Sequence, residues 1–202
     1  MKKFIIAAAI AVLLPFQAIA KEEASPEEVR KFVEEVGNKI VSIAKDKGSD
    51  SQKREKIIAV IDGVIDADWI ARFVLGKNYK TASDEQKEKF TKLYREFMIN
   101  TYGPKFKNYD GRKFTVNEVV EQKSFHVAKA EFLPRDSNVP ILVDFRVKRR
   151  EGKLVILDFI AEGISLIETQ RSEFNSAISQ GGMDSFLNSL AERVKKLKAE
   201  NK

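Results

Sequence analysis

Cysteine is absent from this 202-residue chain. Its absence excludes a disulfide framework, a thiolate metal centre and an acylated N-terminal cysteine, so an exported form of the chain has to be held by a real hydrophobic core. Histidine occurs once, as His126 between Phe125 and Val127. A lone strand histidine away from clustered carboxylates reads as structural rather than catalytic. No G-x-S-x-G, H-E-x-x-H, P-loop or G-x-G-x-x-G pattern is present. Beyond the N-terminal region no apolar run approaches the roughly 18 residues of a spanning helix. There are no internal repeats and no low-complexity linkers, which argues for one domain.

The chain begins with two lysines (Lys2 and Lys3), an apolar stretch from Phe4 to Phe16 and the small-x-small sequence Ala18-Ile19-Ala20. That order is expected of a cleavable signal peptide over residues 1–20. Taking those 20 residues, two of them lysines, from 202 residues at +6 leaves a 182-residue chain at +4, spanning 21–202. The mature chain is expected to be soluble, unlipidated and periplasmic. Lys148-Arg149-Arg150 and Lys195-Lys196-Leu197-Lys198 are short basic runs of the kind that are usually solvated, so nucleic-acid binding is not indicated. The mild positive charge would suit transient contact with anionic headgroups or acidic partners.

Ser25-Pro26-Glu27-Glu28 carries capping-box residues with proline at the first helical position. It opens a helix with Val29, Phe32, Val33, Val36 and Ile40 on one stripe, ending near Gly48. A second helix is expected from about Ser51, with Ile57, Ile58, Ile61, Val64 and Ile65 inward. Asp66 or Asp68 should cap a short third helix that Gly76 stops. Asp62, Asp66 and Asp68 therefore read as helix-end residues rather than metal ligands. Ser83-Asp84-Glu85-Gln86 begins a long helix with Phe90, Leu93, Tyr94, Phe97 and Met98, broken at Gly103-Pro104 and followed by a helical turn holding Phe106 and Tyr109. From Lys113 the period falls to two. Strands are expected at 113–121, 124–133, 139–150 and 153–161, joined by short connections as an antiparallel meander. Helices resume at 163–180 and from 183 to about 200.

The most informative stretch is Asp158 to Gln180. Leu154, Ile156, Asp158 and Ile160 fall on one strand face and Val155, Leu157 and Phe159 on the other, both apolar. Then Ile164, Ile167, Arg171, Phe174 and Ile178 recur at helical spacing. Glu162 and Gly163 sit at the hand-over; Glu162 is expected to accept backbone N–H groups there and Gly163 to supply the turn. The order of helices, four strands and helices describes an α+β fold: a curved four-stranded antiparallel sheet wrapped by about six or seven helices, with an apolar crevice between the layers.

The run IAEGISLIETQRSEFNSAI, together with Asp68-Trp69-Ile70-Ala71-Arg72-Phe73-Val74-Leu75-Gly76-Lys77 and Glu85 to Phe90, resembles MlaC-type periplasmic phospholipid-binding proteins, also called the toluene-tolerance family. The likeness extends from about Val29 to about Leu190. It implies a monomeric carrier, not an enzyme, that holds phospholipid as cargo without a cofactor. It further implies transfer between an outer-membrane lipoprotein–porin complex and an inner-membrane ABC transporter complex with its substrate-binding hexamer, which would maintain outer-membrane lipid asymmetry.

On that basis the acyl chains would lie between the sheet's concave face and the helices. The expected linings are Phe97, Met98, Tyr102, Val143, Phe145, Val147, Phe159 and Ile164. Trp69 and Phe73, four apart on one helix face, read by default as core packing, with cavity lining as the alternative. Arg171, on an apolar stripe, suits either an intrahelical pair with Glu168 or a phosphate headgroup. Two other roles fit the residues: a carrier that shields the acyl chains of lipoproteins, or a cone-shaped α+β enzyme using Asp158 or Glu162 as a buried base.

Overall fold

In a computed structural model, residues 23–102, 113–134 and 137–201 are described. The expected signal peptide, the turn holding Phe106 and Tyr109, and part of the connection after Pro134 lie outside them. Helices α1 (Pro26–Lys45), α2 (Asp50–Asp62), α3 (Ala67–Leu75), α4 (Asn78–Thr81) and α5 (Asp84–Tyr102) precede strands β1 (Lys113–Glu121), β2 (His126–Leu133), β3 (Ile141–Arg150), β4 (Lys153–Ala161) and β5 (Ile164–Ser165); helix α6 (Leu166–Glu200) follows. The strands form one antiparallel sheet in the order β1-β2-β3-β4-β5.

Local chemistry accounts for the helix ends. Ser25 and Glu28 form a reciprocal capping box at α1, and Ser49 with Gln52 does the same at α2. Ser83 and Gln86 exchange the same two hydrogen bonds at α5, at 3.0 and 3.1 Å. The third helix is capped by Asp66, whose Oδ1 accepts from the Trp69 N–H at 2.9 Å; Asp68 is exposed in its first turn. Val64 and Ile65 do not continue α2 as expected. The helix ends at Gly63, after which Ile156 N–H donates to the Val64 carbonyl at 2.7 Å and Ile65 bridges Ile156. This tethers the α2–α3 link to the sheet.

The expected face alternation of β4 fails at one residue. Val147 pairs with Ile156 but Arg146 pairs with Asp158, so Leu157 is the extra residue of a β-bulge. The bulge resets the phase. Ile156 and Phe159 both follow the cavity side of β3, opposite Val147 and Phe145, and Asp158 lies across from Arg146. The hand-over to helix also differs from the expectation. Glu162 (φ 50) and Gly163 (φ 80) form a tight turn into the two-residue β5, and α6 starts three residues after Gly163, capped by Ser165. Two successive positive φ values are the geometry of a type I′ hairpin turn.

Two cores result. The first is helical and aromatic, between α3, α5 and α6: Phe174 lies against Phe90, Tyr94, Phe97 and Phe186. The second joins α1 to the sheet, with Val29 and Val33 against Val116, Ala128, Ala130, Phe145, Val147 and Ile156. The small Ala128 and Ala130 leave room for α1 to cross close to β2. Arg30 ties α1 to the bulge of β1 by donating to the carbonyls of Val116 and Asn117. Gly37, inside α1, faces the Phe114 ring; a Cβ there would lie 2.3 Å from it. The glycine costs helix stability but lets the ring fold under α1.

Helix α6 is interrupted at Gly182 (φ 76, ψ 170). The chain reverses there, because Arg193 reaches back to Glu173 at 2.6 Å and Phe186 packs 5.0 Å from Phe174. The expected helices 163–180 and 183 to about 200 are thus the two arms of one hairpin.

Candidate functional site

The two cores do not meet along their whole length. Between them runs an open cleft of about 540 Å³, within the roughly 300–1,000 Å³ of small-ligand sites. Its floor is the sheet face carrying Phe114, Phe132, Val143, Phe145, Ile156 and Phe159; its roof is α2 with Ile57, Ile58 and Ile61. One side is α1, through Val33, Val36, Gly37 and Ile40, and the other is α5, through Tyr94, Met98, Ile99 and Tyr102. Ile164, Leu166 and Ile167 line the end beside the β5 turn. Ile164 is 66% exposed, so that end is a mouth rather than a wall.

Among the described residues, four charged ones touch this apolar lining: Arg54, Asp62, Arg95 and Asp158. Asp158 is buried, and its carboxylate is fully engaged. Oδ2 accepts from the Ser165 hydroxyl at 2.6 Å and lies 3.3 Å from the Arg146 guanidinium; Oδ1 accepts from the Ile167 N–H at 3.2 Å. It thereby caps the first turn of α6, where a negative charge is favoured. Arg146 also pairs with Glu168 at 2.6 Å. A general base needs a free lone pair facing substrate, and this carboxylate is occupied on both oxygens. Glu162 is exposed, its Oε1 accepting from the Leu142 N–H at 3.4 Å.

Burial nonetheless pushes the Asp158 carboxyl above the ordinary carboxylate range, against the opposing pull of Ser165, Ile167 and Arg146. The folded chain therefore holds that proton more tightly than the unfolded chain. This group's contribution to stability is fully present below the unfolded value of about 4 and declines as pH rises through the raised native value. Asp158→Asn removes the titration. In denaturant unfolding at a series of pH values, the wild type is expected to lose stability relative to Asp158→Asn as pH rises across that window. A difference that stays level, or moves the other way, would contradict the assignment.

A second polar group is buried beside α5. The Tyr94 hydroxyl donates to Gln170 Oε1, and Gln170 Nε2 donates to Met98 Sδ at 3.2 Å and to the Tyr102 oxygen at 3.5 Å. Burial pushes both phenols up, Tyr94 most strongly. Both are neutral at physiological pH, so the cleft side of α5 carries no charge from them.

The structure distributes the candidate residues unevenly. Met98, Tyr102, Val143, Phe145, Phe159 and Ile164 lie on the cleft. Phe97 turns into the aromatic core, and Val147 is fully enclosed under α1. Trp69 and Phe73 stack on each other, ring centroids 5.2 Å apart, against the outside of the helical core. Arg171 is not on the cleft. Its guanidinium covers the Phe73 ring at 4.7 Å and sits beside Gly76, a cation–π contact that holds α6 to α3. The stretches that periodicity assigned only to core packing, α1 and α2, supply much of the lining. Among the described residues no group of three His, Cys, Asp or Glu is placed to hold a metal, and no helix is long and apolar enough to cross a membrane.

The family model of the MlaC protein matches residues 30–192. The intermembrane phospholipid transport system binding protein MlaC of Haemophilus influenzae is 23% identical over 132 residues, which cover 63% of this chain and 62% of that protein. The chain thus spans about three-fifths of the length of that relative. A phospholipid-binding protein from Ralstonia solanacearum, solved in complex with a phospholipid, superposes with a TM-score of 0.74 at 20% identity, over 84% of this chain and 98% of that one. At that identity the likeness is one of fold.

Proposed function

This chain belongs to the MlaC family, and from that premise we propose that it is a periplasmic carrier holding phospholipid acyl chains in the cleft between sheet and helices. The observation that carries the reading is the cleft itself: about 540 Å³ of space whose floor, roof and sides are almost wholly aliphatic and aromatic, left open between two packed cores. A closed fold has no reason to leave Ile58, Ile61, Val143 and Ile99 incompletely buried. A lipid tail supplies the missing contacts. Burying a methylene is worth about 0.8 kcal/mol, so exposing a sixteen-carbon chain to water costs on the order of 10 kcal/mol. A dry cleft of this kind removes that barrier while the headgroup stays at the mouth.

The carrier would be exported by its N-terminal segment. As a soluble monomer it would receive phospholipid at one membrane complex and deliver it to the other, the outer-membrane lipoprotein–porin complex and the inner-membrane ABC transporter complex, so sustaining lipid asymmetry. It needs no cofactor and performs no catalysis; Asp158 serves the fold. Support comes from the family membership and from the phospholipid found in the Ralstonia protein of the same fold. The test is to purify the protein without added lipid, extract it with organic solvent and identify the extract by mass spectrometry. Stoichiometric diacyl phospholipid is expected. An empty protein, or one loaded only with an acylated polypeptide, would sink the proposal.

A further inference from the structure

One register row crosses the whole sheet: Val116 pairs with Ala130, Ala130 with Val143, Val143 with Ala161 and Ala161 with Ile164. It takes one residue from each strand of β1-β2-β3-β4-β5, so it spans four strand spacings of about 4.8 Å, roughly 19 Å in all. The cleft lies over this row: Val143, Ala161 and Ile164 line it, and Phe114 lines it at β1. Its two ends differ. At the β5 end Ile164 is exposed and forms the mouth. At the β1 end Phe114, two residues before Val116, packs under α1. Its ring lies against the α1 backbone at Gly37, where a Cβ would come within 2.3 Å of it. The same ring meets Phe145 edge-on, centroids 6.1 Å apart, and Phe145 meets Phe159 at 5.2 Å. Two contacts therefore hold the ring in place, yet Phe114 is only half-buried, and what it leaves open faces the cleft.

We infer that Phe114 is the end stop of the acyl channel, so that the distance from the Ile164 mouth to its ring selects tails by length. The inference rests on the cleft's being the site of the acyl chains. In a bilayer a tail spans half of the roughly 30 Å hydrocarbon core, about 15 Å. That is close to the span of the register row less the depth of the side chains at its ends, so a tail lying along the row reaches the ring. Carbons short of the stop are buried against a dry wall. Each methylene past it stays in water or buckles the chain, which weakens binding by about fourfold. Gly37 takes part through its lack of a side chain: the ring stands back under α1, and the channel is longer by that recess. The stop reads the far end of the tail and is indifferent to the headgroup.

The test incubates the purified protein with vesicles holding equal amounts of phosphatidylglycerols whose paired monounsaturated tails range from fourteen to twenty-two carbons. The protein is then recovered and its bound lipid identified by mass spectrometry. The wild type is expected to show a cutoff length, with retention falling by roughly fourfold for each methylene past it. Phe114→Ala should move the cutoff to longer tails. Gly37→Ala pushes the ring into the channel and should move it to shorter ones, an opposite change that loosened folding does not produce. A wild-type profile without a cutoff overturns the stop and leaves the carrier reading standing. So does a cutoff that stays in place in folded Phe114→Ala, or that moves the same way in both variants. A wild type that takes up no phospholipid overturns the carrier reading and this inference with it.

Discussion

Val143→Arg is expected to empty the cleft without unfolding the protein. Val143 stands on β3 opposite Ala130 and Ala161, half-buried, with its side chain in the lining. It is not among the enclosed residues of the sheet core, so a longer side chain has the cleft's own volume to enter. Once there, a guanidinium has to keep its water or lose several kcal/mol of solvation. Acyl chains displace that water, so the variant sets the solvation of one charge against the transfer of the tails. Co-purified phospholipid should drop by roughly tenfold or more for each 1.4 kcal/mol of that solvation retained. Far-UV circular dichroism and the thermal midpoint should stay close to wild type. A full lipid load in a folded Val143→Arg protein would place the cargo somewhere other than this cleft.

Phe174→Ala should give the largest loss of stability. Phe174 is the hub of the aromatic core, with ring centroids 5.0 Å from Phe186, 5.9 Å from Phe97, 6.1 Å from Tyr94 and 6.2 Å from Phe90. All four neighbours are anchored on helices, so the site cannot collapse around the cavity that alanine leaves. Such truncations cost about 3–5 kcal/mol. For a chain of this size that corresponds to a fall of roughly 10 °C in the thermal midpoint. Phe174 is not on the cleft, so the surviving folded protein should still carry lipid at low temperature. A loss under about 1 kcal/mol, below the usual range for a buried phenylalanine, would show that the helical core repacks freely around Phe174.

Much of the architecture was legible because its causes are local. The capping pairs Ser25/Glu28 and Ser83/Gln86 act within one turn, and their spacing alone marks the starts of α1 and α5. β1 and β4 run between the residues that alternation indicates, 113–121 and 153–161. β3 starts two residues late because Pro140 lacks an N–H for the ladder and Val139 before it is 72% exposed. The bulge at Leu157 left no trace, since a run that is apolar on both faces looks the same in either phase. The two-residue β5 needed the Glu162–Gly163 turn, in which a glutamate adopts a positive φ that its residue type does not advertise.

The site was harder to read than the fold, for a physical reason. A cavity wall and a packed core both ask for aliphatic side chains at helical spacing. Ile57 is buried and Ile58 only half so, yet both line the cleft; nothing in the pattern separates them. Phe97 and Met98 are neighbours in sequence, and the turn of α5 sends one into the core and the other to the cleft. Arg171 stood out as a charge on an apolar stripe, but an aromatic face satisfies such a charge as well as a phosphate does.

The reversal of α6 at Gly182 bears on the order in which the chain folds. Its arms touch across loops as short as the 12 residues from Phe174 to Phe186, and every sheet pairing joins sequence neighbours. Short loops close at little entropic cost. The contacts of α1 with β1 span 86 residues, and those between Val74 of α3 and Asn175 span 101. We therefore expect the α6 hairpin and the strand meander to form first, with α1 and α3 docking afterwards; amide protection appearing in α1 ahead of α6 would reverse that order. The cleft then lies between an early-forming sheet and helices of the N-terminal half that close over it, a suture left open in the folding chain.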